Sequence, residues 1–161
     1  MPDEERRARR ALACVVEAGN ARVAALVPKA GAEEVWRMLS ASARSAPTDA
    51  RDDPWVRRAA LLDLAAVEAA ERRGGMRFLI PGDAEWPARI ADLAHCPPVQ
   101  DMGGVPVGLW VRGSGSFADA VASSVAVVGS RASTPYGDRV ASGLAADLVS
   151  EGVAVVSGGA Y

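Results

Sequence analysis

The sequence predicts an α/β chain: a small all-helical domain over residues 1–73, then the first part of a doubly wound parallel sheet over residues 74–161. Three observations carry that expectation. Up to Arg73 the apolar residues recur at helical spacing between capping residues, without an alternating strand pattern. Gly74-Gly75 ends that pattern, and short β-branched runs take over. Finally, Val125-Ala126-Val127-Val128 and Val153-Ala154-Val155-Val156 flank one amphipathic helix, each ending in small residues, as a parallel crossover unit does. Hydrophobic residues are 50% of the chain but aromatics only 5%, so the core must be built from Ala, Val and Leu.

Pro2 with Asp3, Glu4 and Glu5 opens the first helix, because acids favour the positive end of the helix dipole. Ala8, Leu12, Val15 and Val16 form its inner face, and Gly19-Asn20 closes it. A short helix from Arg22 to Val27 should end before Pro28, and another should run from Ala32 to Ser40 with Val35, Trp36 and Leu39 inward. Residues 42–54 read as a polar loop. Asp53-Pro54 then opens the longest helix, Trp55 to Arg73, with Leu61, Leu62, Ala65 and Val67 inward and Gly74-Gly75 as its stop. Gly19-Asn20 and Ala30-Gly31 hint at phosphate-gripping turns, which would make this a SAM-like or helix-hairpin-helix-like domain; both also fit ordinary helix caps. The basic pairs Arg57-Arg58 and Arg72-Arg73 could touch DNA, but interleaved acids favour a solvated helix face.

Past Gly75, Arg77 to Ile80 reads as a strand stopped by Pro81-Gly82. A brief helix from Ala88 to Ala94 follows, then an irregular loop over 95–106 and a strand from Leu109 to Gly113. The apolar run Val125 to Val128 suits a central strand buried on both faces. Gly129 would allow a tight turn, Thr134 would cap the next helix, and Pro135 fits its first turn. Val140, Leu144 and Leu148 should face the sheet. Exposed amides at that helix start favour an anion, and the Arg131 guanidinium could hold a phosphate in a fork beside Gly129 and Ser130. Ser157, Gly158 and Gly159 could complete the pocket from the neighbouring strand. The motif is neither Gly-x-Gly-x-x-Gly nor Gly-x-x-x-x-Gly-Lys-Ser/Thr, so a dinucleotide site and a P-loop are both disfavoured. Any such crossover needs small residues at its turns, so Gly-Ser-Arg alone is weak evidence.

Charge and rare residues narrow the function. Net charge is −2, with 13 basic and 12 acidic residues up to Arg73 and 5 and 8 thereafter. Bulk-charge binding of nucleic acid is therefore disfavoured, and a polyanion site must be local. Cys14 and Cys96 lie far apart and His95 is the sole histidine, so neither a disulfide framework nor a metal site is expected. No cofactor is expected either. No run of eighteen apolar residues occurs and the N-terminus is charged, which reads as a cytoplasmic protein without membrane contact.

The ordered series Val128-Gly129-Ser130-Arg131, Thr134-Pro135-Tyr136-Gly137 and Val155-Val156-Ser157-Gly158-Gly159-Ala160-Tyr161 resembles the bacterial DNA-processing protein A family (DprA/Smf). Leu79-Ile80-Pro81-Gly82, Trp86-Pro87-Ala88 and Leu109-Trp110-Val111-Arg112-Gly113 resemble that family's lead-in to its Rossmann-like domain. The helical first 73 residues resemble its N-terminal domain more loosely. Departures are an Arg in many members where Tyr161 stands, a longer stretch from His95 to Gly108, and a Gly-Ile-Asp continuation that this sequence does not contain.

The resemblance implies a non-enzymatic protein that binds single-stranded DNA and helps load the RecA recombinase during natural transformation. It places the phosphate contact at Arg131, with Gly129, Ser130, Gly137, Ser157, Gly158 and Gly159 around it. Tyr136 has two readings, a base-stacking platform or, with more weight, a half-buried residue fixing the turn. A homodimer would form through the C-terminal half that the family has and this sequence lacks. One alternative is a related nucleotide-binding enzyme of the phosphoribohydrolase type, although its Pro-Gly-Gly-x-Gly-Thr loop is missing. Another is an inactive truncated copy, with the 153–156 strand unpaired on one side and the sheet part marginally stable.

Overall fold

The computed structural model describes residues 2–45, 53–130 and 132–158. The chain forms two compact units, Met1–Ser114 and Gly115–Tyr161. It is a mixed helix-and-strand protein with a helical N-terminal region. Among the described residues no helix is long and apolar enough to cross a membrane.

Among the described residues the first unit begins with five α-helices: α1 (Pro2–Val15), α2 (Ala21–Ala30), α3 (Ala32–Ser45), α4 (Pro54–Leu61) and α5 (Leu64–Gly74). Leu12 and Val15 are fully buried, and with Ala8, Val16, Val23, Val27, Ala32 and Val35 they form the core where α1, α2 and α3 meet. Trp36, Leu39, Trp55 and Leu62 pack against its margin. Asn20 caps α2, its side chain accepting from the amides of Arg22 (3.1 Å) and Val23 (3.3 Å). Gly31, at φ 81°, closes α2 with its N–H on the Val27 carbonyl. The Gly103 amide donates to the Gly19 carbonyl at 2.6 Å, so both glycine turns serve as caps and the first is covered.

Three expectations for the helices need correction. Pro28 lies inside α2 rather than beyond it. The proline falls in the last turn, where it removes a single ladder bond and the Gly31 cap still holds the end. Helix α3 continues to Ser45, into the expected loop; the remainder of that loop, 46–52, lies outside the described residues. The single long helix is two. Leu62 is extended and Asp63 caps a new helix by accepting from the Ala66 amide at 3.1 Å, so a capping residue outcompetes the continuous apolar pattern. Leu61, beside that break, is 79% exposed rather than inward, and Ala65 is exposed too.

Strands β1 (Met76–Leu79) and β2 (Leu109–Arg112) pair antiparallel, with Phe78 opposite Trp110 and Met76 opposite Arg112. Between them run a 3-10 helix, Ala88–His95, and a tight turn at Val99–Met102. Gln100 (φ 51°) and Asp101 (φ 61°) both occupy the left-handed region, as a two-residue hairpin turn requires. The Ala21 amide donates to the Asp101 carbonyl at 2.9 Å, so this stretch is pinned to the α1–α2 corner rather than irregular throughout.

The compact division falls at Ser114, not at Gly74-Gly75, because the β1–β2 hairpin is bound into the helices. Arg6 on α1 forms a bidentate pair with Asp83 (2.6 and 2.8 Å) and donates to the Phe78 carbonyl. Arg10 donates to Glu71 at 2.9 Å, and the Trp110 indole N–H reaches the same carboxylate oxygen at 2.6 Å. Glu71 is only 7% exposed, yet both donors satisfy it. The Arg10 guanidinium also lies 5.3 Å from the Phe78 ring, which meets Trp110 at 4.8 Å.

The second unit holds α6 (Phe117–Val121), β3 (Ser124–Ala126), α7 (Pro135–Ser150) and β4 (Ala154–Val156). Strands β3 and β4 are parallel, in register Ser124 to Ala154 through Ala126 to Val156. The expected parallel crossover is therefore present, although the strands are shorter than the apolar runs. Burial on both faces is not: Val125 is 40% exposed, Val128 86%, and both Val140 and Leu144 48%. Two strands and one long helix are too few to cover one another's apolar faces.

Candidate functional site

The turn between β3 and α7 leads into a capped helix start. Thr134 caps α7, its Oγ1 accepting from the Gly137 amide at 3.1 Å, and Pro135 follows in the first turn. Helix α7 runs for 16 residues, long enough for its aligned peptide dipoles to present partial positive charge at this end. The amides of Gly129, Ser130 and Tyr136 make no hydrogen bond to a described residue. The Ser130 hydroxyl accepts from the Ala132 amide at 3.2 Å, folding the loop on itself. Arg131 and Gly159 both belong to the expected site and lie outside the described residues.

Strand register brings the two halves of the expected site together. The Val127 amide donates to the Val156 carbonyl at 2.8 Å, so Gly129 and Ser157-Gly158 issue from the same end of the parallel pair. Among the described residues, a Cβ placed on Gly129 or Gly158 would meet nothing within 4 Å. Gly129 also lies outside the left-handed region, which corrects the expectation that it is needed for a tight turn. Its backbone conformation suits any residue. What its missing side chain leaves is open space beside the chain, where a ligand can approach the backbone. Gly137 is different: it is half-buried, and its hydrogen-bonded amide belongs to the cap.

Tyr136 is 70% exposed, which overturns the half-buried reading. It occupies the first turn of α7. Two charged residues near this turn were not singled out in the sequence. Asp138 accepts a short hydrogen bond from the Ser133 hydroxyl, setting a carboxylate in the first turn. An anion would therefore be favoured on the Gly129 and Ser130 side of the turn. Arg139 is exposed and makes no ion pair among the described residues. Only its proximity to the helix start could have marked it.

Elsewhere several titratable groups serve structure. Arg6 holds the Asp83 carboxyl below its ordinary range, aided by the Ile80 amide at 2.8 Å. The Trp55 indole (2.6 Å) and Arg58 (2.5 Å) do the same for Glu17. Burial pushes the Cys14 thiol up, and Cys96 is exposed. An apolar cavity of about 240 Å³ lies between α1 and residues 105–110, but its polar lining residues Glu17 and Asn20 are already engaged with Trp55 and the α2 cap.

The described residues form a mixed helix-and-strand protein in which a glycine-bearing turn leads from a parallel strand into a capped helix. Comparison with known proteins makes the assignment narrower. The model of the DNA recombination-mediator protein A family matches residues 77–161, from β1 through the second unit. The chain belongs to that family. It is 38% identical over 169 aligned positions to proteins provisionally named DNA processing protein DprA from two strains of Mycobacterium tuberculosis, CDC 1551 / Oshkosh and ATCC 25618 / H37Rv. The alignment covers 100% of this chain and 41% of each of those curated relatives. No solved structure matches the chain.

Proposed function

We infer that this chain binds single-stranded DNA without turning it over, holding a backbone phosphate at the turn between β3 and α7. The observation that carries the reading is the open glycine turn with unbonded amides at the start of α7, inside the family-matched segment. Gly129 and Ser130 supply amides, Arg131 supplies a charge-assisted fork, and Ser157-Gly158-Gly159 border the pocket from β4. Tyr136, with its exposed ring, offers a stacking face worth about 1–3 kcal/mol per base. In this reading the second unit is the first crossover of a Rossmann-like sheet. Bound strand is then passed to the RecA recombinase during DNA processing in transformation.

The test is a titration of fluorescent oligo-dT with this chain and with Arg131→Ala, at low and moderate salt, after circular dichroism confirms that both fold. Salt-sensitive binding that Arg131→Ala loses by tenfold or more is the expected result. Equal affinity in the two proteins would remove Arg131 from the site.

A further inference from the structure

The basic pairs noted in the sequence have different fates in the first unit. Arg58 is committed, donating to the Val15 carbonyl and to Glu17. Arg72 and Arg73 are exposed and make no ion pair with any described residue. The acids interleaved with them on α5 do not neutralise them. Glu71 is turned inward to Arg10 and Trp110, and Glu68 pairs with Arg10 at 3.4 Å.

A third arginine joins the pair from another element. Arg112 lies opposite Met76 in the hairpin, exposed and without an ion pair among the described residues. The Met76 side chain folds back over Gly74, its Cε 3.1 Å from where a Cβ of that glycine would stand. The last turn of α5 and the Arg112 end of β2 are thus adjacent. Trp110 shares the Arg112 face of β2, two residues and about 6.5 Å along the strand. The residue is 37% exposed, and its indole orientation is fixed by the Glu71 hydrogen bond and by Phe78. Complementing the α5 dipole would explain Arg72 and Arg73 but not Arg112.

We propose that Arg72, Arg73, Arg112 and Trp110 form a second contact for single-stranded DNA, on the first unit and separate from the β3–α7 turn. The three guanidiniums take backbone phosphates. The pre-oriented indole stacks on a base, losing little rotamer entropy as it does so. The inference rests on the reading that the chain binds single strands, and it adds a surface that this reading does not contain.

The experiment uses the full chain, fluorescent oligo-dT, and four proteins: the parent, the triple variant Arg72→Ala/Arg73→Ala/Arg112→Ala, Arg131→Ala, and Trp110→Phe. Affinity is measured across a salt series, and tryptophan fluorescence is followed in parallel. The triple variant is expected to bind more weakly, with a slope of log K against log salt shallower by about 0.7 per lost contact, about 2 in all. The parent and Arg131→Ala should show tryptophan quenching by the oligonucleotide, and Trp110→Phe should lose it. A triple variant with the parent's affinity and slope would overturn the second contact while leaving the turn in place. Quenching that persists in Trp110→Phe would overturn the stacking role. A folded parent that does not bind would overturn both sites.

Discussion

At the residue scale, side chains far apart in sequence join the hairpin to the helices. Asp83 receives two bonds from Arg6 and one from the Ile80 amide. Charge-assisted bonds of this kind contribute more than neutral ones, so Asp83→Asn should cost about 1–2 kcal/mol at neutral pH. Because Arg6 lowers the folded carboxyl's pKa, that stabilisation is complete above the ordinary carboxylate value and disappears as pH falls through the lower folded one. Urea unfolding followed by tryptophan fluorescence checks this, since Trp36, Trp55, Trp86 and Trp110 all lie in the first unit. The gap between parent and variant should be present at pH 7 and shrink as acidification passes below the ordinary carboxylate range. None of these partnerships was legible in the sequence. Arg6 and Asp83 are 77 positions apart, and no local pattern couples them.

At the element scale, the legible features were those with a local cause. The Gly75 stop, the Thr134-Pro135 helix start and the parallel crossover all follow from conformational preference and short-range hydrogen bonds. The α4–α5 break was missed because the apolar pattern runs through it, while the capping power of Asp63 is decided by a single bond to Ala66. Helix α6 was missed because five residues are too few to show a period. Asp63→Ala should destabilise the first unit by about 1 kcal/mol, the usual worth of an N-cap, measured by the same unfolding assay. An unchanged midpoint would mean that packing rather than the cap defines the break.

At the scale of the whole molecule, the two units differ in how much they bury. The first has fully buried Leu12 and Val15 at its centre, while β3 of the second is exposed along its length. Apolar burial supplies most of the stability of a small domain, so the two should open independently. Native-state hydrogen exchange is expected to protect the amides of Leu12 to Val16 more strongly than those of Ala154 to Val156, by a factor of a hundred or more. Uniform protection across both units would contradict that. The strand and helix that carry the candidate site were legible because they are contiguous in sequence. The exposure of Tyr136 was not, because it depends on what covers the turn.

The most direct measurement of the phosphate site is amide mapping by NMR during titration with short oligo-dT. Saturable shifts are expected at Gly129, Ser130, Tyr136 and Gly158, weakening as salt is raised. A chain that binds the oligonucleotide while those amides stay unmoved would contradict the assignment of the phosphate to the β3–α7 turn.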